Sequence, residues 1–288
     1  MKIVDKRVLV DTQDTRVTEL KILSPDIARK AQPGQFVVIM AIKEGERIPL
    51  TVVDADKDKG TIIIILQELG LTTKLLGKLE IGDSLYALVG PLGHATEIKN
   101  YGFGYVKPNH GPLACGRVIL VGGGVGIAEI YPVAKALKKI GNQVTTILGA
   151  RNKELLILEN ELKDTSDQFY ITTDDGSYGR KGFTTDVLDE LLKQDKYAIV
   201  YAVGPIPMMK KVAAVTRGYS VKTIVSLNPI MVDGTGMCGC CRVTVAGKTQ
   251  FSCVDGPEFD GHLVDWEELV KRNRVYTEQE KHICRLAI

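Results

Sequence analysis

The sequence predicts a β + α/β chain: an antiparallel β region first, a doubly wound parallel sheet after it, and a cysteine-bearing tail that follows neither pattern. Three observations predict it. Short β-branched and aliphatic runs separated by turn residues fill Met1 to about Gly93, the mark of a small antiparallel barrel or sandwich. From Arg117 apolar runs alternate with helix-like stretches, which makes βαβ units. From Pro229 the alternation stops, and four of the six cysteines fall within sixteen residues. The boundaries are drawn at 1–95 for the barrel, 96–116 for a linker, 117–228 for the α/β domain and 229–288 for the tail.

Taken in order, the expected strands of the first region are Arg7–Val10, Val17–Ile22, Phe36–Met40, Thr51–Val53, Thr61–Leu66 and Ser84–Leu88. Turns are expected at Ser24-Pro25, Pro33-Gly34, Asp56–Gly60 and Gly82-Asp83, and a helix over Leu71–Leu79. Residues 102–115 read as an irregular excursion. In the second region Val118–Val121 is a continuous apolar run of the kind buried in a parallel sheet. A glycine cluster and a helix to Lys139 follow. Strands are then expected at Gln143–Leu148, Gln168–Thr172, Ala198–Val203 and Lys222–Leu227, with helices at Glu154–Leu162, Phe183–Lys193 and Pro207–Arg217. The tail carries a hairpin, Arg242–Val245 and Thr249–Ser252, and two helices, Val264–Arg272 and Thr277–Cys284. Trp266 reads as a packing residue there.

Composition excludes several classes. A chain of 288 residues with 44% hydrophobic and 25% charged residues is an ordinary globular sequence of about two domains. The net charge of +2 and the lack of a Lys/Arg cluster argue against a nucleic-acid partner; Lys138 and Lys139 read as a solvated helix face. No apolar run approaches the ~20 residues a membrane span needs, and no signal peptide is visible, so no membrane partner and a cytoplasmic location are expected. Clustered cysteines in that compartment favour metal or redox chemistry over disulfides.

The tail reads Asp233-Gly-Thr-Gly-Met-Cys238-Gly-Cys240-Cys241, then Cys253. Positions 233, 238, 241 and 253 have the spacing x4, x2, x11, and plant-type [2Fe–2S] proteins use C-x4-C-x2-C…C. Asp233 stands in the first ligand place. A carboxylate is a harder donor than thiolate but binds ferric iron, and the change shifts a cluster's potential. Cys240 lies outside this set and is the thiol placed to replace a ligand if the loop shifts. A zinc knuckle or buried free cysteines are the plainer alternatives, although two C-x2-C pairs are absent. Cys115, Cys284 and the four histidines, His94, His110, His262 and His282, show no ligand spacing.

Gly122-Gly123-Gly124-Val125-Gly126-Ile127 follows an apolar strand and opens a helix. Such a turn lets backbone approach a phosphate, and the helix N-terminus favours its charge. The match to G-x-G-x-x-G is loose, and a glycine turn that only packs strand on helix is the alternative. Gly204, Pro205 and Met208 follow a later strand, and Arg151 and the Asp174-Asp175 pair follow two others. All lie at carboxyl ends, where open α/β sheets bind ligands. Arg151 suits the 2′-phosphate of NADP(H); Asp174 suits the 2′-hydroxyl of NAD(H). In the first region Arg47-Ile48-Pro49-Leu50-Thr51, Gly70-Leu71-Thr72-Thr73 and Gly90-Pro91-Leu92-Gly93 place a cation, hydroxyls and glycine turns at strand ends. Arg47 suits a phosphate, and Thr72 and Thr73 would donate to it; ordinary hairpin residues are the alternative.

In this order the motifs, with Pro33-Gly34-Gln35-Phe36 added, resemble the ferredoxin-NADP reductase superfamily. Within it the chain is similar to the small subunits of NADH-dependent ferredoxin:NADP oxidoreductase, also called sulfide dehydrogenase. The resemblance covers nearly the whole chain. Its set of one aspartate and three cysteines differs from the four cysteines of the related dihydroorotate dehydrogenase subunits. Glu129, where proline is usual, and Cys240, where a small residue is usual, depart from the pattern.

The resemblance implies an FAD on the barrel, its ring against Arg47, Pro49, Leu50 and Thr51 and its phosphates near Gly70, Thr72 and Thr73, with Gly90 and Gly93 nearby. It implies a nicotinamide nucleotide, NAD(H) with NADP(H) as the alternative, on the second domain, hydride exchange with the flavin, and single-electron exchange between flavin and the [2Fe–2S] cluster. Thr51 is expected to hydrogen-bond near the reacting flavin nitrogen and is the catalytic candidate. The implied partners are a larger flavin and iron–sulfur subunit and, through the complex, ferredoxin, in an electron-bifurcating assembly. The alternative is an NAD(P)H-oxidising subunit of another oxidoreductase, of the dihydroorotate dehydrogenase, glutamate synthase, sulfide dehydrogenase or hydrogenase type. A zinc-stapled binding module is the reading from a different class.

Overall fold

The computed structural model describes residues 1–102 and 116–286. The expected excursion at 102–115, with His110 and Cys115, therefore lies almost wholly outside the described residues. The chain forms two compact units: Met1–Thr96 with Leu227–Glu258 and Val264–Ile288, and Glu97–Ser226 with Phe259–Leu263.

The first unit begins with β1 (Lys2–Asp11), β2 (Arg16–Leu23), α1 (Pro25–Lys30), β3 (Phe36–Met40), β4 (Ile48–Thr51), β5 (Asp54–Asp56), β6 (Thr61–Gln67), α2 (Leu71–Lys78) and β7 (Ala87–Leu92). Two antiparallel sheets result, in the orders β1-β2-β6-β5 and β4-β3-β7. Alternate residues of both sheets, among them Ile3, Leu20, Ile22, Val37, Ile39, Ile62 and Ile64, meet in one buried core, as the period-2 pattern requires. Each such isoleucine removed from water contributes about 1.5–3 kcal/mol.

Two local expectations are corrected here. The run Thr51–Val53 is not one strand. Val52 donates to Gln35 O and Val53 donates to Ile63 O, so the chain leaves one sheet and joins the other between those two residues. Ser24-Pro25 is not a free turn but the start of α1, because proline at the first helical position needs no N–H acceptor.

The second unit holds β8 (Arg117–Gly123), α3 (Gly126–Lys139), β9 (Gln143–Ala150), α4 (Glu159–Asp164), β10 (Gln168–Thr173), β11 (Arg180–Lys181), α5 (Thr184–Gln194), β12 (Ile199–Val203), α6 (Ile206–Gly218) and β13 (Lys222–Ser226). Val118, Ile119, Leu120 and Val121 are buried completely or nearly so, as expected of a strand covered on both faces. The helix expected over Glu154–Leu162 is broken in two. Leu158 takes a left-handed conformation, φ 53°, between a short 3-10 turn at Lys153–Leu155 and α4.

The tail supplies β14 (Arg242–Val245), β15 (Lys248–Phe251), β16 (Glu258–Asp260), α7 (Trp266–Asn273) and α8 (Thr277–Leu286). β14 and β15 form the expected hairpin. β16 adds to the edge of the parallel sheet, whose order is β11-β10-β9-β8-β12-β13-β16. Among the described residues no helix is long and apolar enough to cross a membrane.

Candidate functional site

The parallel sheet changes direction of winding between β8 and β12. β9 and β10 lie on one side of β8, and β12 and β13 on the other. At such a point two strands send their following loops apart and leave a crevice at the carboxyl edge. Here the crevice is walled by glycine. The residue pair Gly122 and Val203 is in register across the two strands. A Cβ on Gly126 would stand 2.6 Å from the backbone Val203 O, so that position admits no side chain; one on Gly123 would meet Met208 Sδ at 2.4 Å, so Met208 would have to move. Gly124 is different. It has φ +57° and nothing within 4 Å of a built Cβ, so its open face stands at the start of α3.

The rest of the rim joins through backbone hydrogen bonds. Gly124 donates to Gly149 O, Asp174 to Ala150 O and Asp175 to Arg151 O. Thus Gly122, Gly123, Gly124, Gly126, Arg151, Asp174, Gly204, Pro205 and Met208 share the carboxyl ends of neighbouring strands. Asp175 accepts from Ser177 N at 2.9 Å, and this bond with the Ser177 hydroxyl holds its carboxyl below the usual range. Beside Arg151 the buried Asn152 Oδ1 has no hydrogen-bond partner, an acceptor left for an outside donor. Sequence reading missed Asn152, because only its burial distinguishes it from a turn residue.

In the first unit β4 is the edge of its sheet. Pro49, Leu50 and Thr51 along it are half-buried and Arg47 is exposed. Thr73 is committed locally: its hydroxyl takes the N–H groups of Leu69 and Gly70 and donates to Gly70 O. It therefore caps α2. Thr72 donates to Glu46 Oε2 at 3.2 Å. Gly90 and Gly93 serve packing, since Cβ atoms there would meet Val37 Cγ1 at 2.7 Å and Phe36 Cε1 at 2.8 Å.

The cysteine tail lies on the outer face of β3. Phe36 and Val38 form a second apolar cluster with Met231, Cys241 and Cys253. Gly234 is seated so closely that a Cβ would meet Val38 Cγ2 at 2.7 Å. Cys241 and Cys253 are buried together, and Cys253 N donates to Cys241 Sγ at 3.4 Å. Burial, and then the hydrogen bond with Cys241, push the Cys253 thiol up to about 12. Cys238 is exposed. Burial raises the Cys240 thiol. The Asp233 carboxylate accepts from Thr235 Oγ1, Thr235 N and Met237 N, which hold it below the usual range.

Among the described residues no group of three or more His, Cys, Asp and Glu side chains is gathered as a metal site. The four expected ligands share one loop and hairpin, and Cys241 and Cys253 meet there, with no third ligand gathered to them among the described residues. Their chemistry fits an iron–sulfur cluster: three thiols and a carboxylate on a backbone that Gly234, Gly236 and Gly239 turn through positive φ. Sequence reading also missed Arg242 and Arg272, which hydrogen-bond this loop's carbonyls at Gly239 and Cys240, each at 3.0 Å. Basic residues within and after a cysteine run are the signal that would have found them.

Comparison with known proteins accords with this geometry. Residues 228–265 match the iron–sulfur cluster binding domain of dihydroorotate dehydrogenase B, and residues 120–214 match the oxidoreductase NAD-binding domain. The chain is 51% identical over 265 residues to a dihydroorotate dehydrogenase B (NAD(+)) electron transfer subunit homolog of Thermotoga maritima, covering 92% of this chain and 89% of that one. It is 36% identical to the corresponding electron transfer subunit of Geobacillus thermodenitrificans, covering 90% and 95%. A solved structure of an NADH-dependent reduced ferredoxin-NADP oxidoreductase, described for flavin-based electron bifurcation, superposes with TM-score 0.87 at 49% identity, covering 98% of this chain and 95% of that one. A ferredoxin-NADP+ reductase from Plasmodium falciparum shares the fold at 17% identity and TM-score 0.59 over 78% and 94%.

Proposed function

This chain belongs to the family of dihydroorotate dehydrogenase B electron-transfer subunits and their homologues, and from that premise we propose that it passes electrons between NAD(H), FAD and a [2Fe–2S] cluster in an electron-bifurcating complex of the NADH-dependent ferredoxin:NADP oxidoreductase kind. The observation that carries the proposal is the pairing of a glycine-walled crevice with a cysteine loop packed on the β3 face of an antiparallel barrel. Its domains in this reading are an FAD barrel at 1–95, a linker at 96–116, an NAD(P) domain at 117–228 and a cluster segment at 229–288. The protein works as an electron-transfer subunit beside a larger partner; ferredoxin as the carrier served, and the cytoplasm as the location, belong to the proposal.

The residues do the positioning, and the bound groups supply hydride and single-electron chemistry. Gly122, Gly123, Gly124 and Gly126 would bring backbone against the nucleotide pyrophosphate at the start of α3. Gly204, Pro205 and Met208 would form the opposite wall. Arg151 or Asp174 would contact the adenosine ribose, and the buried, unpaired Asn152 Oδ1 fits a donor on the nucleotide. Arg47, exposed and in no ion pair among the described residues, fits a flavin phosphate at the β4 edge, and Pro49, Leu50 and Thr51 would contact the flavin ring. Gly70 and the first N–H groups of α2 would contribute to the same phosphate, a reading supported by the Thr72 bond to Glu46, the neighbour of Arg47. Asp233, Cys238, Cys241 and Cys253 would hold the cluster. No side chain is required to move a proton during hydride transfer.

Anaerobic purification followed by flavin, iron and sulfide analysis tests the proposal. One FAD and two irons per chain, with bleaching of both chromophores by NADH, is the expected result. A chain that binds zinc and no flavin would overturn it. The names of the relatives favour a second reading, a subunit serving dihydroorotate dehydrogenase. NADH-driven reduction of orotate by the complex would establish that reading instead.

A further inference from the structure

We infer that a cavity beside the cysteine loop is a binding site for a carboxylate carried on an apolar stem. The cavity measures about 400 Å³ and lies between the loop, α7 and the start of α8. Arg242 and Arg272 stand in its wall, with Asn273 and Tyr276; Ile230 and Val275 supply an apolar side. No aspartate or glutamate lines it.

Charge accounting makes the wall incomplete. Each guanidinium carries five N–H donors in a fork that matches a carboxylate in two-point contact. Arg242 gives one bond to Gly239 O and Arg272 one to Cys240 O. Neither is in an ion pair among the described residues. Arg242 is exposed and Arg272 half-buried, and an anion bound between two like charges on one wall is attracted by both. Asn273 takes no part in holding the anion. Its Nδ2 donates to Asn228 O at 3.0 Å, and its buried Oδ1 is an acceptor, which a carboxylate does not satisfy.

The apolar side selects the class of anion. Ile230, Val275 and Pro229 suit methylene groups, so a carboxylate on a short aliphatic stem fills both halves, whereas inorganic phosphate fills the basic half alone. Two sources present that chemistry: a free dicarboxylic acid, or a glutamate side chain of a partner protein. Either would be held beside the exposed Cys238. Cys238 and Cys240 line the same cavity, so the inference rests on the proposed cluster loop keeping this arrangement, and the iron analysis reads that assignment separately.

Titration calorimetry of the full chain, prepared anaerobically, reads the site directly with three probes: succinate, a decaglutamate peptide and inorganic phosphate. Saturable binding of succinate or the peptide is expected, weakened at least about tenfold in Arg242→Gln/Arg272→Gln. Ile230→Glu, which sets a resident carboxylate in the wall and leaves both arginines bonded to the loop, is expected to abolish it. Peptide binding tighter than succinate assigns the site to a partner's acidic side chain; equal or weaker binding assigns it to a free acid. No binding of either, binding unchanged in both variants, or phosphate binding tighter than both overturns the inference. Iron content and circular dichroism, measured alongside, report cluster and fold independently.

Discussion

Gly126 lies under the carbonyl of Val203: a Cβ on it would come within 2.6 Å of Val203 O and 2.7 Å of its carbonyl carbon. The start of α3 therefore touches the end of β12 backbone to backbone. Gly126→Ala is expected to push the helix off the strand and cost about 2 kcal/mol. Gly124→Ala meets no atom within 4 Å but keeps φ +57°, so its cost is about 1–2 kcal/mol of backbone strain. Its methyl group would fill the open face of the crevice. Thermal unfolding and NADH titration of the two variants separate the roles. Gly126→Ala is expected to lose more stability, and Gly124→Ala to lose more NADH affinity per unit of stability lost.

The same contact shows what the sequence made legible. The glycine run, the apolar β8 and the alternation after Arg117 are local patterns with one physical meaning, and each appears as expected. Phe36–Met40 was readable as a strand, but its five consecutive apolar residues, all buried, had a second meaning. Val37 and Ile39 face the barrel core, and Phe36 and Val38 face the cysteine tail. Features that tertiary context sets were not legible. Leu158 breaks a helical pattern at positive φ, and β16 is only three residues long. The hydroxyl of Thr73 is committed to its own helix start, which its place in a glycine–threonine motif does not reveal.

Thr73 gives a clean separation of fold from ligand binding. Its hydroxyl satisfies two N–H groups ahead of α2, at 3.0 Å each. Thr73→Val is expected to cost about 1 kcal/mol, the value of a lost cap, measured by denaturant unfolding. Flavin content should fall only in step with that loss. Arg47→Gln is expected to show the reverse, with unchanged stability and an FAD affinity lower by about tenfold or more.

Asp167 bridges strand and helix: Oδ2 accepts from Val144 N at 2.8 Å and Oδ1 pairs with Lys138. Burial opposes its ionisation, but the Lys138 ammonium and the Val144 N–H outweigh burial and hold the carboxyl below the usual range. A group whose folded pKa is depressed contributes stability above its unfolded pKa, about 3.9. That contribution is lost as pH falls through the folded value. Asp167→Ala is expected to cost about 1 kcal/mol at pH 7, since the pair is part-exposed. The gap between variant and parent should close below about pH 4, and urea unfolding at stepped pH checks both.

Thr51 closes β4 opposite Phe36 and is the candidate for a hydrogen bond to the reacting flavin nitrogen. Thr51→Ser keeps the hydroxyl and Thr51→Ala removes it. Hydride transfer from NADH, followed by stopped flow, is expected to slow about tenfold in the alanine variant, or about 1.4 kcal/mol of barrier, and to recover in the serine variant. Equal rates in all three would remove Thr51 from the reaction.

Asp233 is the position on which the cluster assignment turns. Its carboxylate is oriented by Thr235 Oγ1 at 2.7 Å and by the N–H groups of Thr235 and Met237. Cys240 differs: its carbonyl accepts from Arg272 at 3.0 Å. If Asp233 is the fourth ligand, Asp233→Cys replaces a hard oxygen by a soft thiolate and must change the electronic structure of the reduced cluster. The low-temperature EPR spectrum of dithionite-reduced Asp233→Cys is then expected to show shifted g-values and an altered midpoint potential. Cys240→Ala is expected to keep the parent spectrum. The opposite pair of results would make Cys240 the ligand and leave Asp233 as a residue that shapes the loop.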